Sequence, residues 1–316
     1  MKKSILIIGA CGQIGTELTL KLREINDKNT VVASDIREGN NELMKSGPFE
    51  FINAIDYHSI LKIIVKHHIN EVYLMAAMLS ATGEKFPEKA WDLNINSLFN
   101  VLNLAKEGKI KKVFWPSSIA VFGPTTPKEN TPQKTVMEPT TVYGISKQTG
   151  ERWCEYYHQK YGVDVRSIRY PGIISWKTEP GGGTTDYAIE IFHNALLKGN
   201  YTSFLNKETK LPMMYMDDAI EATIKIMDAN PSTIKIRSSY NLAAMSFTPE
   251  DIATEIKKKI PSFKIYYHSD FRQQIADSWP KSIDDNCARK DWGWKNNFDL
   301  EKTSEIMLHN LQTKYA

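Results

Sequence analysis

The chain begins with a constraint that few folds satisfy. Ser4-Ile5-Leu6-Ile7-Ile8 is an unbroken apolar run, it passes directly into Gly9-Ala10-Cys11-Gly12-Gln13-Ile14-Gly15, and Ile14, Leu18, Leu22 and Ile25 then recur at helical spacing. A short isoleucine-rich run without polar alternation reads as a strand buried on both faces, and the helical period after it reads as a helix packed on it. Each glycine has its own task in such a turn. The first permits the sharp bend, the second lets backbone N–H groups approach a pyrophosphate, and the third lets the helix pack on the strand. Asp35 closes the next apolar run about 20 residues later, where a carboxylate accepts from adenosine ribose hydroxyls and repels a 2′-phosphate. Gly9, Gly12, Gly15 and Asp35 therefore predict a dinucleotide site that favours NAD over NADP. Arg37, two positions on, is able to offset that preference. Asp56 is placed either to reach the adenine or to cap the helix after it.

The same rhythm continues. Apolar runs at 30–34, 49–53, 72–76, 111–115 and 163–168 alternate with helical periods at 59–68, 87–107 and 143–161. Repeated strand–helix units close right-handed into a parallel sheet covered on both faces, so the expected class is α/β, a Rossmann-like doubly wound parallel sheet. Past Pro171 the rhythm breaks at Pro180-Gly181-Gly182-Gly183 and does not resume. Residues 1–170 are expected to form the cofactor domain with the catalytic residues. Residues 171–316 are expected to be mainly a smaller substrate-binding lobe, with some segments returning to the main sheet.

A formal charge of +3, with 40 basic and 37 acidic residues intermixed, leaves no basic tract for nucleic acid and no polybasic membrane signal. Cys11, Cys154 and Cys287 suggest neither a disulfide framework nor a zinc site, and the histidines show no ligand spacing, so no metal is expected. The start at Met1-Lys2-Lys3 leaves no room for a leader before the first strand, and the expected compartment is the cytoplasm.

Val142-Tyr143-Gly144-Ile145-Ser146-Lys147 carries the chemistry. On a helix, Tyr143 and Lys147 share a face one turn apart, so an ammonium is expected to sit near the phenol and lower its pKa. A base working near neutrality needs a shift of roughly 2 to 3 units, or about 3 to 4 kcal/mol. The spacing alone is weak, because Tyr156 and Lys160 repeat it. Position separates the two pairs: Pro116-Ser117-Ser118 ends a strand at the same sheet edge as the glycine turn, where a hydroxyl can hold an alcohol for Tyr143.

Gly9 to Gly15, Leu74-Met75-Ala76-Ala77, Asn94, Ser117-Ser118 through Val121-Phe122-Gly123, and Tyr143 to Lys147 resemble, in order, the motifs of the extended short-chain dehydrogenase/reductases. The resemblance implies Ser118 as the catalytic hydroxyl, Tyr143 as general base, Lys147 as its partner, and Asn94 as the residue holding the active-site helix and a relay water. It also implies that Gln13, Ile14, Ala76 and Ile173 join Tyr143 and Lys147 in contacting NAD. The runs 169–175, 180–188, 278–285 and 291–294 look like the short-chain type of L-threonine 3-dehydrogenase. That type implies oxidation of the β-hydroxyl of L-threonine to 2-amino-3-ketobutyrate, with Ser80, Gly183, Thr184, Thr185 and Trp279 joining Ser118 and Tyr143 around the substrate. Gly172 departs from the wider family, whose sugar-nucleotide enzymes usually carry asparagine there. Two alternatives stay open: a nucleotide-sugar epimerase or dehydratase, and a non-catalytic dinucleotide sensor. The family further implies a homodimer built on the helices at 87–107 and 143–161, with Trp91, Leu98, Trp153 and Tyr157 as its apolar face.

Overall fold

The computed structural model describes residues 3–181 and 183–316. The chain divides into two compact units: Met1–Ser118 with Thr141–Arg169 and Ile220–Tyr240, and Ile119–Thr140 with Tyr170–Ala219 and Asn241–Ala316.

The first unit is built on six parallel strands, β1 (Ile5–Ile8), β2 (Val31–Asp35), β3 (Phe49–Phe51), β4 (Glu71–Leu74), β5 (Lys112–Phe114) and β6 (Asp164–Arg166). Their order across the sheet is β3-β2-β1-β4-β5-β6. Ile8 stands beside Ser34 on one side and Leu74 on the other. The order reverses at β1, and at such a switch point the two neighbouring crossovers leave on opposite faces and open a crevice beyond the carboxyl ends. Both faces are covered, which is why β1 and β4 are buried along their whole length. Leu6, Ile8, Val32, Ile60, Val72, Leu98, Val101, Val113 and Val165 share one apolar cluster.

One expected element is interrupted. The period at 87–107 gives not one α-helix but Pro87–Trp91, a π-helical turn over Asp92–Asn96, and Ser97–Lys106. A π-turn inserts one residue and rotates the helix beyond it, a device frequent at functional sites. The expected apolar face also divides. Leu98 and Tyr157 are 1% and 7% exposed and belong to the core, Trp153 packs against that core partly buried, and Trp91 is 42% exposed.

In the second unit, Leu211–Tyr215 lies between Gly172–Ile174, parallel to it, and Met245–Phe247, antiparallel. Asn200–Ser203 pairs in parallel with Lys264–Tyr267. Helices Tyr187–Lys198, Pro249–Lys259 and Leu300–Tyr315 pack on one another. The middle one starts at a capping box, in which Thr248 and Asp251 satisfy each other's backbone N–H. No helix among the described residues is long and apolar enough to cross a membrane, and no three or more of their His, Cys, Asp or Glu side chains cluster so as to hold a metal ion.

Candidate active site

The glycine turn lies at the switch point, and Gly9 and Gly15 within it have no space for a side chain. Gly9 has φ +90°, and a Cβ on it would stand 2.4 Å from the backbone nitrogen of Ala76; one on Gly15 would stand 2.2 Å from the carbonyl oxygen of Gly9. Helix Gln13–Ile25 begins at Gly12 without a side-chain cap, so its first N–H groups and dipole face outward, an arrangement that binds anions. Gln13 leaves a buried amide nitrogen with no partner. These features fit the pyrophosphate of a dinucleotide: a close backbone approach, free helix donors and one orphaned side-chain donor.

Asp35 lies at the end of β2. One of its oxygens accepts from the Cys11 N–H at 3.0 Å and the other from the Ile36 N–H at 2.8 Å. These bonds hold the carboxylate against the glycine turn. Arg37 reaches over the same turn and donates to the Cys11 carbonyl at 3.2 Å. The Cys11 thiol is pushed up to about 11, first by burial and then by the Asp35 charge, so it stays protonated. Asp56 caps the helix Tyr57–Lys66, accepting from the N–H groups of His58 and Ser59.

The catalytic candidates converge in the same unit. Tyr143 and Lys147 lie in the first turns of Val142–Tyr161, and Ser118 ends the two-residue strand Ser117–Ser118. The Ser118 hydroxyl is hydrogen-bonded to the Tyr143 phenol, and burial nevertheless pushes that phenol up to about 12. Lys147 donates to the Pro116 carbonyl at 2.6 Å, with its nitrogen 4.5 Å from the Trp115 ring centre and 5.5 Å from that of Tyr143. Burial lowers this ammonium to about 7, against a smaller pull upward from Cys154 and Glu151. The direction expected for Tyr143 is therefore reversed by its burial. An i,i+4 ammonium lowers a phenol's pKa only if water is not withdrawn from both, and here desolvation dominates.

Asn94 explains the π-turn. Its side chain accepts from the Met78 N–H at 2.8 Å and donates to the Met78 carbonyl and the Ser146 hydroxyl, each at 3.1 Å. Ser146 in turn donates to the Tyr143 carbonyl at 2.8 Å. Asn94 is 3% exposed, so it pins the active-site helix rather than lying on a helix surface. Ser80, 8% exposed, opens the short helix Ser80–Lys85. Ile14 is the second residue of the first helix, and Ala76 follows β4.

The remaining candidates belong to the second unit. Ile173 is central in Gly172–Ile174, and the Gly183 N–H donates to Asp186 at 2.7 Å. Thr184 is 3% exposed, and Thr185 is packed beside Gly172. A Cβ on Gly172 would come within 2.4 Å of the Met213 sulfur and 2.7 Å of the Thr185 methyl carbon. Trp279 is buried and borders a cavity of about 280 Å³ with Lys128, Thr209, Gln273 and Lys281. Sequence reasoning missed Ser146, Glu151 and Arg169 as supports of the site. Glu151 and Arg169 are charged residues buried in full, for which a linear pattern gives no signal.

A family model described as the NAD dependent epimerase/dehydratase family matches residues 5–243. An uncharacterized epimerase/dehydratase of Staphylococcus haemolyticus is 49% identical over 312 residues, 98% of each chain. A GalE-like L-threonine dehydrogenase from Cupriavidus necator, in its holo form, superposes with a TM-score of 0.95 at 55% identity, covering 98% of this chain and 99% of its own. A monomeric L-threonine 3-dehydrogenase from a metagenome, in its apo form, superposes at 0.94 with 49% identity, covering 99% and 100%.

Proposed function

The chain belongs to the NAD dependent epimerase/dehydratase family, and from that premise we propose that it oxidises the β-hydroxyl of L-threonine to 2-amino-3-ketobutyrate with NAD+. The observation that carries the choice of substrate is Gly172. A side chain there meets the side-chain ends of Met213 and Thr185 and must displace them, which disfavours the asparagine usual in the family's sugar-nucleotide enzymes. The structural likeness to two L-threonine dehydrogenases over nearly the whole chain supports the same choice.

In this reading, Gly9, Gly12, Gly15 and Gln13 receive the pyrophosphate, and Asp35 takes the ribose hydroxyls. Ile14, Arg37, Asp56, Ala76 and Ile173 complete the cofactor contacts. NAD+, when bound, accepts the hydride from the β-carbon and brings a positive charge. Ser118 holds the substrate hydroxyl and Tyr143 takes its proton, while Lys147 stabilises the phenolate and Asn94 keeps the helix in place. Ser80, Gly183, Thr184 and Thr185 offer donors to a small carboxylate, and Trp279 closes on the methyl group.

Release of one NADH per L-threonine, compared with L-serine, L-allo-threonine, D-threonine and a nucleotide sugar, tests the proposal. Conversion of the nucleotide sugar without net NADH would overturn it. Tyr143→Phe should bind NAD+ normally and form no NADH.

We also propose a homodimer. Phe99, Trp153, Tyr156 and Tyr161 form an edge-to-face aromatic chain, with Phe99–Trp153 at 4.8 Å and Tyr156–Tyr161 at 6.0 Å, on helices that such a dimer would bury. Light scattering at micromolar concentration decides it, and a monomer mass refutes it.

A further inference from the structure

Three side chains on one helix engage three successive residues of one strand end. Tyr143 is bonded to Ser118, Lys147 to the carbonyl of Pro116, and Glu151 to the hydroxyl of Ser117 at 2.6 Å. The spacing is i, i+4, i+8, so the three lie within about an 80° arc and about 12 Å of helix length. Glu151 is also clamped from beneath. The oxygen that accepts from Ser117 also accepts from Arg169 Nε at 2.8 Å, and its other oxygen accepts from Arg169 Nη2 at 2.7 Å. Glu151, Ser117 and Arg169 are 0%, 1% and 2% exposed.

We propose that Glu151, held by Arg169, is a positioning residue for the active site: it fixes Ser118 through Ser117 and supplies a buried negative charge that favours the ammonium form of Lys147. The inference rests on the catalytic reading of Ser118, Tyr143 and Lys147. The physical reason is balance. A buried cation needs a buried anion nearby, and a bidentate carboxylate–guanidinium pair is rigid enough to set a register as well as a charge. Lys147 shares its helix with Tyr143, Glu151 and Cys154. The segment at 115–118 offers it a carbonyl and an indole face, Asn94 and Leu98 on the neighbouring segment are uncharged, and Arg169 lies behind Glu151.

The test uses ligand-free protein labelled with ¹³Cε-lysine, with the Lys147 resonance assigned by its loss in Lys147→Met. It needs no substrate, so it stands apart from any failure of the threonine assay. Glu151→Gln removes the anion and should lower the Lys147 midpoint by at least about one pH unit; Arg169→Met frees the anion's full charge and should raise it by a similar amount. Glu151→Gln with Arg169→Met removes both charges and should leave the midpoint below the parent's and above that of Glu151→Gln alone, because the two partners are in direct contact and the carboxylate is the member on the lysine's own helix. If Glu151→Gln does not fold, Arg169→Met and the double variant still decide the matter. Shifts of the same sign in the two single variants, or no shift in folded Arg169→Met, would overturn the charge role. Ser117→Ala should lower kcat at least about tenfold with KM for NAD+ and the Lys147 midpoint unchanged. An unchanged kcat would overturn the positional role.

Discussion

Replacing Lys147 by methionine should make the folded protein more stable while abolishing turnover. Burial lowers the ammonium from an ordinary value of 10.5 to about 7. At 1.36 kcal/mol per unit, holding this lysine charged costs the fold about 4 to 5 kcal/mol. Methionine fills the same stem volume without the charge, but it leaves the Pro116 carbonyl without its donor, which costs about 1 to 2 kcal/mol. The expected net gain below pH 7 is about 3 kcal/mol. Its pH dependence is set by linkage. Because the folded pKa lies below the unfolded one, the unfolded chain holds the extra proton between about pH 7 and 10.5, and parent stability rises with pH through that window. The Tyr143 phenol titrates above it, at about 12, and is present in both proteins. Urea unfolding followed by far-UV circular dichroism at pH 6.5, 7.5, 8.5 and 9.5 should therefore show the gap closing by about 2 to 3 kcal/mol between pH 7.5 and 9.5. A gap that stays constant across these pH values, or a methionine variant less stable than the parent at pH 6.5, would refute the argument that the lysine is held charged against its burial.

Gly9→Ala should lower stability by at least about 2 kcal/mol and weaken NAD+ binding at least about tenfold by calorimetry, because both its φ of +90° and its distance to Ala76 forbid a Cβ. Gly181→Ala, with nothing within 4 Å of the added carbon, serves as the silent control. Gly172→Asn should cost about 1 to 3 kcal/mol of stability through contact with Met213 and Thr185, read as a lower Tm, without conferring activity on nucleotide sugars. Asp35→Ser should weaken NAD+ binding by about 1 to 2 kcal/mol and narrow its advantage over NADP+ in parallel titrations; an unchanged ratio would mean that Arg37 already dominates the choice.

What the linear chain revealed and what it hid divide along a physical line. The sheet was legible because burial on both faces writes itself as uninterrupted runs such as Ile5–Ile8, and the glycine turn was legible because Gly9 and Gly15 answer to sterics within seven residues of each other. Helix periodicity could not show the π-turn at Asp92–Asn96, since one inserted residue disturbs a period of 3.6 too little to register. The cause of that turn is Asn94 reaching Met78 and Ser146, which are distant in sequence. Likewise Tyr143 and Lys147 were found by spacing, but their charge states were not, because spacing says which side chains emerge together and burial says what state each can hold. The same limit hid Glu151. Read along the chain it is one more acidic residue on a helix; only when Arg169 and Ser117 arrive from other strands does its position, one turn below Lys147, become the third contact of a stripe that begins at Tyr143. A Tyr-x-x-x-Lys pair repeated by chance at Tyr156 and Lys160 has no such floor, for Tyr156 stands among Trp153, Tyr157 and Tyr161 with 43% of its surface exposed. The two pairs are alike in spacing and differ in what lies beneath them, and that difference separates a site from a surface.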